Sequence, residues 1–114
     1  MTIKKRGYFE ESSIEITEFT KALAHPARLE ILETLAQNQI CNCNDLVRKL
    51  PLAQSTISQH LSELKSTGIV SRETDGTRSQ YAIEWDELEV QFNQLVDFAS
   101  KLKRLKAMRV AAAF

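Results

Sequence analysis

The stretch "LPLAQSTISQHLSELKSTGIV", residues 50–70, decides how the chain is read. Ile57, Leu61 and Leu64 recur at the intervals of three and four residues that gather side chains on one face of a helix. The opposite face carries Gln54, Ser55, Ser58, Gln59 and Ser62 where a solvated helix usually shows lysine and glutamate. Short polar side chains compete with the backbone for its own hydrogen bonds and are modest helix formers. Helix stability therefore does not account for their choice; taken alone, the face reads either as a surface that must touch something specific or as an ordinary solvated one. Pro51 stops the preceding element and Gly68 closes this one, so the helix is predicted over residues 54–66.

Upstream, residues 45–50 form a short helical segment ending at Pro51. Before it, Ile14, Ile16, Phe19, Ala22 and Leu23 mark a helix over residues 14–24. His25-Pro26 ends that helix and opens the next, because proline suits a first helical turn and His25 suits a helix start. In this second helix Ala27, Leu29, Ile31, Leu32 and Leu35 are expected inside, with Arg28, Glu30 and Glu33 in water. Downstream, residues 69–73 and 79–83 flank Asp75-Gly76, a strong hairpin signal. A long helix follows over residues 86–108. Trp85, Leu88, Phe92, Leu95, Ala99 and Leu102 alternate in steps of three and four, a seam that suits a partner helix. Residues 1–12 lack a period and read as a flexible arm, residues 13–108 as one domain, and residues 109–114 as a tail.

At 114 residues with 43% hydrophobic content, the chain can bury one modest core. Its 15 basic and 15 acidic residues cancel, so any nucleic-acid binding must come from local charge. No apolar run is long enough for a signal peptide or a membrane span, so a soluble, cytoplasmic protein without a membrane partner is expected. Cys41 and Cys43 are too few for a disulfide framework, which fits a reducing compartment. Gly7, Gly68 and Gly76 build no phosphate-cradling loop, and neither histidine has a nucleophile at motif spacing. An enzyme is not expected.

The order of elements predicts a mainly α fold with a small β-hairpin: a winged helix-turn-helix of about five helices and a two-stranded wing. In that arrangement the second helix of the pair enters the major groove and the ribbon lies along the backbone or minor groove. The expected partner is double-stranded DNA. Gln54, Ser55, Thr56, Ser58 and Gln59 are the candidates for base readout, since glutamine pairs with adenine and hydroxyls bond base edges or phosphates. Arg48, Lys49, His60, Lys65, Arg72, Thr77 and Arg78 are the candidates for phosphate contact from this helix, its neighbour and the wing. The alternative is a winged helix used for protein assembly, which would put apolar or charged residues on the 54–59 face.

"ALAHPARLEILETLA" and "DLVRKLPLAQSTISQHLSELKSTGIVSRETDGTRSQYAI" together resemble the ArsR/SmtB family of winged-helix repressors. The resemblance implies a homodimer built on the first and last helices, with Phe19, Trp85, Leu88, Phe92, Leu95, Ala99 and Leu102 at its interface. It also implies a two-fold symmetric operator and repression lifted by an inducer. One departure is Ala53, where family members often place a serine that caps the reading helix; alanine forgoes that bond, about 1 kcal/mol.

Many members of the family sense thiophilic ions through a Cys-x-Cys before the turn, which makes Cys41 and Cys43 candidate ligands for As(III), Cd(II) or Zn(II). The register departs from the family's arsenic motif, because Asn44 separates Cys43 from Asp45. Two further readings stay open: a redox switch on a thiolate, or small half-buried residues with no inducer role.

Overall fold

The computed structural model describes residues 7–38 and 41–113, with Asp75 described for its backbone alone. The first six residues of the expected arm, Gln39, Ile40 and the terminal Phe114 lie outside the described residues. From Glu11 onward the order is α1 (Glu11–Leu23), α2 (Pro26–Asn38), β1 (Cys41–Asn42), α3 (Cys43–Lys49), α4 (Gln54–Ser66), β2 (Val70–Asp75), β3 (Arg78–Ile83) and α5 (Trp85–Ala113).

Local chemistry sets the boundaries. His25 Nδ1 accepts the Ala27 N–H at 3.0 Å and so caps the start of α2. α3 opens on a reciprocal capping box: Asn42 accepts from the Asp45 N–H at 2.8 Å, while Asp45 accepts from the Asn42 N–H at 3.0 Å. That box starts the helix at Cys43, two residues before the expected start. α4 begins after Ala53, which supplies no side-chain cap, and its last turn closes through the Gly68 N–H on the Lys65 carbonyl at 2.9 Å. Gly68 has φ +81, a conformation that costs other residues strain.

The wing has three strands rather than two. β3 lies between β2 and β1, antiparallel to both, with Val70 opposite Ile83 and Cys41 opposite Tyr81. β1 is two residues long, too short for alternation to reveal it in sequence. α5 runs through Ala113, so residues 109–113 continue the helix instead of forming a tail.

The core is built from Phe19, Ile31, Leu35, Leu46, Ile57, Leu61, Leu64, Ile69 and Val70. Ile57, Leu61 and Leu64 are each fully buried, and each such side chain contributes about 1.5–3 kcal/mol. The serines of α4 forfeit roughly half a kcal/mol each in helix propensity, so burial outweighs propensity and holds the helix. Two residues expected at a dimer interface belong to this core. Phe19 is buried edge-on against Phe92, ring centroids 5.0 Å apart at 87°, and Leu88 is also buried. Leu95 is partly covered by the same core, whereas Trp85, Ala99 and Leu102 are exposed. Leu29, expected inside, is also exposed. Periodicity identifies a face but not what covers it. With 29 residues α5 is about 43 Å long, more than the 32 and 25 Å of the molecule's shorter dimensions, and its second half outruns the core.

Candidate nucleic-acid interface

α4 presents what its sequence implied. Gln54, Ser55, Ser58, Gln59 and Ser62 are exposed, Thr56 is half-buried at the edge, and the aliphatic residues lie behind. A groove separates the N-terminal half of α4 from the wing. It is lined by Gln54 and Ser58 from α4, Cys43 from α3, and Arg72, Thr77 and Arg78 from the hairpin. Arg72 Nε and Nη2 donate to Ser79 Oγ at 3.0 and 2.8 Å, fixing that guanidinium along the ribbon. Gly76, with φ +63, makes the turn that carries Thr77 and Arg78.

The other expected cations lie elsewhere. Arg48 and Lys49, on α3, border a separate recess with Asn38, Cys41 and Asp45. Arg48 pairs with Asp45 at 2.7 Å, and Lys49 donates to Asn38 Oδ1 at 3.0 Å. The Asn42 backbone N–H, and then Arg48, hold the Asp45 carboxyl below its ordinary value. Lys65 is exposed on the last turn of α4, about 16 Å along the helix from Gln54.

His60 corrects an expectation. Far from standing out toward a phosphate, it is 8% exposed on the inner side of α4, and its Nδ1 accepts from Arg28 Nε at 3.0 Å. Its position, three residues from both Ile57 and Glu63, is compatible with either face, and a histidine gives no hydropathy signal strong enough to decide. Arg28, expected in water, is correspondingly half-buried. The part that sequence reasoning missed is this pairing, for which the one available signal was Arg28 following His25-Pro26.

The two cysteines have different surroundings. Cys41, 2% exposed, is paired in β1 and belongs to the core, where burial raises its thiol above the ordinary value and outweighs nearby Lys49. Cys43 begins α3 and lies in the groove against α4, its sulfur 3.5 Å from Ser58 Oγ. Among the described residues no group of three histidine, cysteine or acidic side chains could hold a metal ion. Cys41 thus borders the recess beside Arg48 and Lys49, while Cys43 borders the groove beside the wing.

Comparison with known proteins agrees with the geometry. Residues 25–72 match the profile of the family described as "Bacterial regulatory protein, arsR family". The chain is 31% identical over 83 residues to an arsenical resistance operon repressor of Staphylococcus xylosus, covering 73% of this chain and 78% of that protein. It is 33% identical over 90 residues to the transcriptional repressor PagR of Bacillus anthracis, covering 78% of this chain and 90% of that one. A solved ArsR-like transcriptional regulator from Rhodococcus sp. RHA1 superposes with a TM-score of 0.75 at 25% identity, over 90% of this chain and 97% of that chain. No helix among the described residues is long and apolar enough to cross a membrane. With a three-stranded wing beside an outward polar helix, and relatives of this length and likeness, the chain belongs to the ArsR family of winged helix-turn-helix proteins, DNA-binding transcriptional repressors and not enzymes.

Proposed function

We propose that the chain works in the cytoplasm as a homodimer that represses transcription by setting one α4 from each protomer into successive major grooves of a two-fold symmetric operator. The observation that carries this reading is the exposed row Gln54, Ser55, Ser58 and Gln59 on a helix anchored from behind by fully buried Ile57, Leu61 and Leu64. Amide and hydroxyl groups there discriminate bases, with Thr56 at the edge of the row. Arg72, Thr77 and Arg78 on the wing, and Lys65 at the far end of α4, supply phosphate contacts that carry no sequence information. Arg48 and Lys49, engaged with Asp45 and Asn38, contribute charge from the side.

The dimer rests on α5. Phe98, Leu102 and Leu105, spaced on one stripe of the half that outruns the core, are 45, 51 and 49% exposed. A second α5 covers them and sets the two reading helices about one DNA turn, 34–36 Å, apart. Release by an inducer belongs to this reading; a chelate shared by Cys41 and Cys43 within one chain does not.

The test is fluorescence anisotropy on duplexes tiled across the DNA around the protein's own gene. One duplex bound far more tightly than an unrelated sequence of equal length supports the reading, and equal affinity for all of them rejects it.

A further inference from the structure

Behind the reading face, one guanidinium joins three helices. Arg28, in the first turn of α2, donates from Nε to His60 Nδ1 on α4 at 3.0 Å. Its Nη1 donates to the carbonyls of Lys21 and Ala22 in the last turn of α1, at 3.1 and 3.2 Å. The His25 ring lies 4.5 Å from the His60 ring, centroid to centroid, while its own Nδ1 caps α2. The end of α1, the start of α2 and the middle of α4 are thus held at one point, at the residue that follows Ser58 and Gln59 in α4.

Because His60 Nδ1 accepts, the neutral ring carries its proton on Nε2. A second proton has to land on Nδ1, where Arg28 already donates. It would set two donors and two cations against each other. The groups facing His60 are Arg28 and His25 from α2 and the turn before it, and Glu63 on α4 itself; α1 contributes the carbonyls that Arg28 holds. Burial first, then the neighbouring His25 ring and the Arg28 cation, keep the His60 ring below its ordinary value, with Glu63 opposing.

We propose that Arg28 and His60 are positioning residues for DNA recognition: they hold α4 at the angle from which Gln54, Ser58 and Gln59 project, and protonation of His60 releases that hold. Sequence-specific binding therefore weakens on acidification while non-specific binding does not. Folding stability follows the same sign, since the ring binds its proton less readily folded than unfolded. The contribution is complete above the ordinary histidine value and is lost as the pH falls through that value toward the lowered one.

The proposal rests on α4 being the reading helix, and its test separates the two. Histidine ring NMR on the DNA-free protein reads the tautomer and titration of His60, and urea unfolding at about pH 7.5 and pH 5.5 reads the linkage. Anisotropy at the same two values compares the tightest tiled duplex with an unrelated one. The wild type is expected to show an Nε2–H tautomer, a titration below the ordinary range, and a specificity ratio that falls about tenfold on acidification. His60→Asn, which keeps an acceptor for Arg28 but cannot take a proton, is expected to hold the ratio nearly constant, while Arg28→Ala lowers it at both values. An Nδ1–H tautomer, or a His60→Asn ratio that falls as steeply as the wild type, overturns the proposal. If no duplex is preferred at all, the reading of α4 fails instead, and the NMR and unfolding arms still decide whether the latch exists.

Discussion

The Cys43 sulfur lies 3.5 Å from the hydroxyl oxygen of Ser58 and 3.9 Å from the carbonyl oxygen of Gln54, so the first residue of α3 rests directly on the exposed side of α4. Any group added to that sulfur enters the groove between α4 and the wing. Native-state treatment with N-ethylmaleimide is expected to add one adduct, on Cys43, because Cys41 is buried and its thiol is held up. The adduct should weaken binding to the preferred duplex by about tenfold or more, the scale of a lost base contact, and Cys43→Ser should abolish the effect. Mass spectrometry and anisotropy check this; an adduct on Cys41 in the folded protein would contradict the burial.

The helix starts set stability through their caps. Ala53 sits at the N-cap of α4 in extended backbone, φ −68 and ψ 151, which serine adopts freely, so Ala53→Ser should add about 1 kcal/mol in urea unfolding. Asn42→Ala should remove about 1 kcal/mol by breaking the capping box.

The same box has a pH signature. Asp45 is held below its ordinary value chiefly by the Asn42 N–H, so its contribution is complete above the ordinary aspartate range and is lost as the pH falls through the lowered value. Asn42→Ala should flatten that part of the acid limb of the stability profile, measured by urea unfolding at a series of pH values.

Assembly separates two kinds of apolar residue on α5. Leu102→Glu with Leu105→Glu, both at exposed positions, should leave the protomer folded and convert a dimer to a monomer in light scattering. Phe19→Ala should instead cost about 3–5 kcal/mol of stability, since Phe19 is fully buried against Phe92. A wild-type chain that is monomeric at micromolar concentration would contradict the role given to the Phe98 stripe.

Much of this was legible in the residues. Pro26, Pro51, Gly68 and the Asp75-Gly76 pair punctuate the chain where the elements change, and Ile57, Leu61 and Leu64 fix which side of α4 faces the core. What periodicity could not supply was the identity of the covering surface: Phe19 and Leu88 carry the same signal whether they meet a partner or their own domain. β1 was invisible because two residues have no alternation, and its pairing with Tyr81 and Gln80 depends on the whole sheet being in place. His60 and Arg28 were misread for a related reason. A polar side chain turns inward when a specific partner offsets its desolvation, and that partner lies 32 residues away in sequence.

The central claim is that α4 reads bases while the wing holds the backbone. Salt-dependent anisotropy on the preferred and an unrelated duplex, for Gln54→Ala with Ser58→Ala and for Arg78→Ala, tests it most directly. The α4 pair should lose about tenfold or more on the preferred duplex and little on the unrelated one, with an unchanged salt slope. Arg78→Ala should weaken both and lower the slope by about one. Equal losses on the two duplexes from all three substitutions would contradict the account.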